Sequence, residues 1–264
     1  MISISARSVT GENWVKLDVS QMQNPEDWRP SKFIETAAGW VGSPDPSEVG
    51  IGSRLIADIL ADVYFRVIRT HARGRLLDLG CGEVPLYGMY RDLVTENICI
   101  DWGETLHRNR HIDQFVDLNS VLPIGDEEFD TVLSTDVLEH IARADCAWSE
   151  MSRVLRRGGK LLLATPFLYW LHEEPHDYHR FSAHKLRLLC ADYRLEIVEL
   201  NAYGGAPEVI LDIVCKLAMY RGPKLAATCV RASQWLLRRA RVQQISVRTR
   251  NLFPLGYCLV ARKP

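Results

Sequence analysis

The chain has no uninterrupted apolar run of membrane-spanning length. Its most apolar stretch, VILDIVCKLAMY, is broken by Asp212 and Lys216, whereas a spanning helix needs about 20 consecutive apolar residues. The start, MISISARSVTGENWVKLDV, lacks the apolar segment of a signal peptide before Glu12 and Lys16. Cysteine pairing is missing too. The seven cysteines are odd in number and show no C-x-x-C spacing, which argues against a disulfide framework and a zinc ribbon. These absences predict a reducing, cytoplasmic setting. Internal repeats and low-complexity tracts are also lacking, so solenoids and collagen-like chains are excluded. No zinc finger, RNP-like sequence or strongly basic domain reads bases, and no nucleic-acid partner is expected.

What is present is an ordinary globular balance, 47% hydrophobic and 25% charged, over 264 residues. That suffices for one large α/β domain with additions. A net charge of -1 conceals an asymmetry: after Gly204, eleven Lys and Arg oppose only Glu208 and Asp212, roughly +9 against roughly -10 elsewhere. Any anionic partner would therefore meet the C-terminal quarter.

Four segments are expected. Residues 1–50 form an irregular, proline-punctuated extension with a short helix around Ser31 to Ala38, placed to act as a lid. Residues 51–204 form the core, opening on a helix whose Leu55, Ile56, Ile59, Leu60, Val63 and Val67 recur at helical spacing, with Ser53 as its cap. Residues 205–250 are an insertion of two helices, and residues 251–264 are a final core strand. Apolar runs of strand length (RLLDL, NICI, QFVDL, FDTVLST, KLLLATP, RLEIVELN, GYCLVARK) alternate with helical stretches up to the insertion, the pattern of a parallel sheet covered on both faces.

RLLDLGCGEVPLY sets a buried strand directly against Gly80 and Gly82, where a chain turns sharply and admits a ligand close to its backbone. A dinucleotide loop would present a helix N-terminus to a pyrophosphate, but Asp78 and Glu83 bring negative charge there. A cationic ligand suits this loop better, and S-adenosylmethionine, with an ammonium and a sulfonium and no phosphate, is such a ligand. Asp101 ends the next strand at the separation expected of a carboxylate that accepts ribose hydroxyls, with Trp102 beside the adenine. Asp117, ending the third strand, is placed for the adenine amino group, with the Leu118 amide beside it. For each acid taken singly, a turn or cap role competes with ligand binding.

The ordered segments LLDLGCG, CIDW, VDLNSVLPIGDEEFDTVLSTDVLEHI and SRVLRRGGKLLLATP resemble the motifs of class I S-adenosylmethionine-dependent methyltransferases, in particular the type 11 group. The resemblance covers about residues 50 to 203. It implies a Rossmann-like α/β fold: a seven-stranded, mostly parallel sheet with helices on both faces and the last strand antiparallel. It implies S-adenosyl-L-methionine as cofactor, bound by Asp78, Gly80, Cys81, Gly82, Asp101, Trp102, Asp117 and Leu118, with Ser134 and Thr135 near its methionine end. Asp136 is expected to cap the following helix, and Glu139 and His140 to serve packing and hydrogen bonding first, with a place in the cofactor pocket as the alternative. The chain departs from the pattern at Val84, where many members carry a third glycine.

The segment TPFLYWLHEEPHDYHRFSAHKLRLL starts at the carboxyl edge of the sheet, where an acceptor should lie. His172 and His176 are the candidate bases, with Glu173 and Asp177 as orienting or alternative basic groups and Tyr178 and Arg180 placed to hydrogen-bond a polar or anionic acceptor. The competing reading is a structural turn in which Ser182 caps the next helix and Arg180 pairs with a nearby acid. His172 to His176 also spells H-E-x-x-H. Pro175 interrupts it, so both imidazoles cannot share a helix face and no metal is expected.

In the insertion, Ile210, Ile213, Val214 and Leu217 share one helical face and Glu208, Asp212 and Lys216 the other, predicting an apolar face packed inward. Residues 223–241 read as a basic amphipathic helix with Arg231, Gln234, Arg238 and Arg241 aligned, fit for an anionic membrane surface or a phosphate-bearing substrate. A merely solvated face competes with that reading. The acceptor predicted is a small molecule or glycan, a sugar or other polar metabolite methylated on oxygen and lipid- or phosphate-linked. This follows the likeness of the histidine-rich segment to enzymes of bacterial surface-glycan assembly. An aromatic or quinone-like acceptor, or a non-catalytic cofactor-binding module, are the alternatives. The oligomeric state is left open.

Overall fold

A computed structural model describes residues 22–103 and 110–264. The first 21 residues of the expected N-terminal extension lie outside the described residues. In chain order the elements are β1 (Phe33–Thr36), β2 (Gly39–Gly42), α1 (Arg54–His71), β3 (Gly74–Leu79), α2 (Tyr87–Tyr90), β4 (Val94–Asp101), β5 (Gln114–Phe115) and β6 (Phe129–Thr135). There follow α3 (Ala144–Val154), β7 (Leu155–Pro166), α4 (Ala183–Asp192), β8 (Glu196–Tyr203), α5 (Ala206–Met219), α6 (Pro223–Leu237), α7 (Ala240–Thr249) and β9 (Gly256–Arg262).

Seven strands form one sheet in the order β5-β4-β3-β6-β7-β9-β8, and β9 runs antiparallel to both its neighbours. All seven apolar runs of the sequence are strands of this sheet. The central ones, such as Leu76 and Leu77 in β3 and Val132 in β6, are fully buried, as both-face coverage requires. One core cluster packs β3, β6 and β7 against α1 and α2, and a second packs their opposite face against α3 and α4. The order reverses between β3 and β6, so the carboxyl ends of these strands open a crevice.

Several expectations are corrected. Ser31 to Ala38 is not helical: β1 and β2 pair as a hairpin, Thr36 opposite Gly39, with the Thr36 hydroxyl accepting from the Ala38 N–H at 3.2 Å. The hairpin buries Phe33 and stacks Trp40 on Phe65 of α1 at 6.2 Å, burial that a single helical turn would not supply. Ser53 makes no side-chain cap, because residues 51–53 form a 3-10 turn that runs straight into α1. Ser182 does cap α4, accepting from the Lys185 N–H at 3.3 Å.

The insertion holds three helices rather than two. The expected basic helix ends at Leu237, Arg239 is extended with its guanidinium over the Trp235 ring at 3.9 Å, and α7 begins at Ala240. Arg241 therefore lies on a different helix from Arg231, and Gln234 points inward to Asp58 of α1 at 2.6 Å. The proposed alignment of these four side chains does not form. The face of α5 is inverted as well. Ile210, Ile213, Val214 and Leu217 are 44–60% exposed, while Asp212 and Lys216 are 2% and 5% exposed and paired with each other. The Lys216 ammonium sits 3.9 Å from the Tyr169 ring centroid, so its charge is met by a carboxylate and an aromatic face at once.

Candidate active site

The glycine loop is shaped by its backbone. Gly80 and Cys81 both donate their N–H to the Ile100 carbonyl, at 2.9 and 3.1 Å, which folds the loop over the end of β4. Gly80 has φ +74°, and a Cβ there would fall 2.5 Å from Val137 side-chain atoms. Only glycine fits this left-handed, crowded position. At Val84, where the motif departs from its relatives, φ is +50° and the side chain is fully buried. The loop thus keeps a left-handed turn with a valine in place.

Asp78 is buried beside the loop and accepts from the Tyr90 hydroxyl at 3.0 Å. Burial pushes its carboxyl up to about 7, with the Tyr90 hydrogen bond opposing and the Asp101 charge adding. Asp101 ends β4 and accepts from the Gly82 N–H at 2.7 Å on one oxygen and from the Trp102 N–H at 2.7 Å on the other. Asp117 accepts from the Asn119 N–H at 2.9 Å, the turn role foreseen for it, yet with Leu118 it also lines the crevice.

The crevice is a continuous cavity of about 840 Å³ lined by Asp78, Gly80, Cys81, Gly82, Asp101, Trp102, Asp117, Leu118 and Thr135, and on its far side by His172 and His176. Ser134 is buried and does not reach this wall. Asp136 is left-handed at φ +54° and does not cap the 3-10 turn Leu138–His140. It lies 3.5 Å from Lys32 instead. Residues 31–50 supply one wall through Lys32, Phe33, Glu48 and Val49. Nine carboxylates line the described cavity against one cation, Lys32. This balance favours a cationic ligand and repels phosphate, so the residues fit an ammonium- and sulfonium-bearing cofactor. The ribose would fall to Asp101, the ammonium to Asp78, and the adenine to Trp102, Asp117 and Leu118.

Across the cavity, Asp177 is the organising acid of the histidine-rich segment. Its carboxylate takes two bonds from the Arg180 guanidinium, one of them at 2.8 Å, and one from the His172 N–H at 3.0 Å. The Arg180 hydrogen bond chiefly holds it down to about 2. Arg180 is thereby spent on Asp177 and is not offered to an acceptor. His172 Nδ1 lies 3.2 Å from an Asp177 oxygen, and burial and the neighbouring His140 lower its pKa, so the ring is neutral near pH 7. His176 packs edge-on against Trp102 at 5.1 Å and meets the Tyr178 hydroxyl at 3.0 Å. Residues 172–176 form a turn rather than a helix, as Pro175 demands. Glu139, read first as a packing and hydrogen-bonding residue and second as part of the cofactor pocket, is fully buried on the cavity wall with no hydrogen-bond partner on either oxygen.

Comparison with known proteins agrees with this geometry. A family model described as a methyltransferase domain matches residues 77–163. A "Probable S-adenosylmethionine-dependent methyltransferase" of Mycolicibacterium smegmatis is 33% identical over 109 residues, a match spanning 39% of this chain and 42% of that relative's length. Among solved structures, the [4+2]-cyclase SpnF superposes with a TM-score of 0.50 at 21% identity, covering 79% of this chain and 82% of its own. An S-adenosylmethionine-dependent methyltransferase of Archaeoglobus fulgidus gives 0.50 at 15% identity, covering 76% and 93%. A cyclase among these neighbours illustrates that this fold by itself does not specify the reaction. The sheet order, the acidic glycine loop and the match over residues 77–163 make that stretch similar to the methyltransferase domain of class I S-adenosylmethionine-dependent enzymes.

Proposed function

We propose that the protein transfers a methyl group from S-adenosylmethionine to a hydroxyl oxygen of a sugar or other polar metabolite. The observation that carries this reading is the Asp177–His172 pair in the wall of the same cavity as the acidic glycine loop. When bound, the cofactor supplies an activated methyl group on sulfur. The acceptor oxygen gains a bond to that carbon as the sulfur–carbon bond breaks, leaving a neutral thioether. His172, neutral and oriented by Asp177, takes the hydroxyl proton. Loop and imidazole line one cavity, so positioning supplies most of the acceleration. The polar far wall, with Glu173, His176 and Tyr178, suits hydroxyl groups better than a wholly apolar ring.

The acidic cavity leaves no place for a phosphate, so a phosphate or lipid carrier on the acceptor would lie outside it. The basic insertion next to the cavity is the place for such a carrier, and we assign it peripheral contact with an anionic membrane surface. Arg231, Arg238, Arg239, Arg241 and Arg248 are exposed there together with Ile213, Leu217 and Trp235, the pairing of charge and apolar surface that interfacial helices use. No helix among the described residues is long and apolar enough to cross a membrane.

The test is S-adenosylhomocysteine binding by calorimetry followed by an acceptor screen led by sugars. Binding abolished by Gly80→Val, with turnover on a sugar lost in His172→Ala and Asp177→Asn, is the expected outcome. Turnover on an aromatic acceptor that survives His172→Ala but not Tyr169→Ala would replace the sugar with an aromatic metabolite. Tight binding without turnover on any acceptor would replace the enzyme with a binding module.

A further inference from the structure

Three side chains converge on the cavity wall, two of them the imidazoles of His140 and His172, packed edge to face with centroids 4.7 Å apart. Glu139 is fully buried and neither carboxylate oxygen has a hydrogen-bond partner. Facing one of those oxygens are His140 Nε2 at 3.8 Å and His172 Nε2 at 3.9 Å. These separations are too long for hydrogen bonds. All three atoms lie within 4.8 Å of one another. Ligands around an ion bonded at about 2.0–2.2 Å stand roughly 3.3–3.6 Å apart, so the two carboxylate–imidazole separations need to close by a few tenths of an ångström, and any pair near the 4.8 Å limit by about 1 Å or more. Glu173 stands at the rim, its carboxylate 3.8 Å from His140 Nε2.

The outer partners fix the direction of both imidazole lone pairs. His140 Nδ1 lies 2.7 Å from the His176 carbonyl, and His172 Nδ1 lies 3.2 Å from the Asp177 carboxylate and 3.3 Å from the Trp170 carbonyl. All three oxygens only accept, so each neutral ring carries its proton on Nδ1 and turns a bare Nε2 toward Glu139. Carboxylate and carbonyl partners behind imidazoles are the usual support of a metal ligand set.

The geometry points to a site for one divalent transition-metal ion, Zn²⁺ in the first instance, held by Glu139, His140 and His172. Two imidazoles and one carboxylate with an open position form a donor set that suits such ions over Ca²⁺ or Mg²⁺. The site's existence does not depend on the methyl-transfer reading, but its role rests on it. All three ligands line the cavity that an acceptor would enter, where an acceptor hydroxyl would complete the shell and lose its proton more readily. With the ion bound, His172 is a ligand and the proton passes to the Glu173 carboxylate at the rim, whereas in the metal-free chain His172 takes it.

The experiment uses the full chain stripped of metal and titrated with Co²⁺, read by its visible absorption, and with Zn²⁺ by calorimetry. One ion per chain is expected, with affinity at least tenfold weaker in Glu139→Gln and in His140→Ala, and unchanged in the exposed His184→Ala. If Glu139→Gln fails to fold by circular dichroism, the His140→Ala/His172→Ala pair carries the test. No stoichiometric uptake by the unaltered chain, or uptake unchanged in that double variant, overturns the site. S-adenosylhomocysteine affinity is measured on the same samples. Cofactor binding without metal uptake sinks the metal site alone, and metal uptake without cofactor binding sinks the methyltransferase reading alone.

Discussion

Asp78 ties cofactor binding to pH. Its carboxyl stands at about 7 in the fold against an ordinary value of 3.8. Protonation therefore stabilises the unliganded fold fully below about pH 4, and this contribution is lost as pH rises through about 7. The ionised form is the one that attracts an ammonium. Between about pH 5 and 8 the thermal midpoint of the unliganded protein is expected to fall while S-adenosylhomocysteine affinity rises, and Asp78→Asn should flatten both. Equal pH profiles for the two proteins would remove Asp78 from the cofactor site. Asp101→Ala removes the acceptor that orders both Gly82 and Trp102, and an affinity loss of roughly 10- to 100-fold is expected by titration. Asp78, Gly80 and Asp101 were legible because a strand and its turn place them locally. The convergence of Glu139, His140 and His172, each singled out separately, was not, because 32 residues separate the two imidazoles and only the fold sets both against one carboxylate. Lys32 and Asp136, 104 residues apart, meet in the same way.

At the scale of elements, periodicity revealed that α5 has two faces but not which one is inside. The usual preference for burying aliphatic side chains gave the wrong answer, because Asp212 and Lys216 satisfy each other and Lys216 gains the Tyr169 ring. The reversal is measurable. Ile213→Ser and Leu217→Ser should shift stability by no more than about 0.5 kcal/mol in denaturant unfolding, whereas Asp212→Ala strands a buried ammonium and should cost about 3–5 kcal/mol. The opposite ranking would restore the inward-packed apolar face. The same limit explains the hairpin β1–β2: Ala37 and Ala38 have helical propensity, but Phe33 and Trp40 reach α1 and its neighbours only from paired strands. The seven sheet strands were legible throughout because strands covered on both faces need continuous apolar runs, and no helical reading of KLLLATP or FDTVLST competes at that length.

Across the whole molecule, charge is segregated: the cavity is acidic, and no Asp or Glu follows Asp212 in the chain. Two ligands of opposite sign can therefore be held side by side, a cationic cofactor within and an anionic surface against α6 and α7. Each exposed arginine near an anionic bilayer contributes about 1 kcal/mol at physiological salt, and the contribution decays within a Debye length of about 8 Å. Exposed aliphatic residues on α5 add a term that salt does not screen. Co-sedimentation with vesicles should accordingly show binding to anionic but not to neutral lipid, weakened severalfold as salt is raised. Arg238→Glu/Arg241→Glu should abolish the salt-sensitive part, and Ile213→Ser/Leu217→Ser should weaken what remains at high salt. Because both pairs lie outside the cavity, S-adenosylhomocysteine affinity should be unchanged in either. Equal binding to neutral and anionic vesicles, or none to either, would detach the basic insertion from membranes and leave the three helices as a surface for another protein or a second copy of this chain.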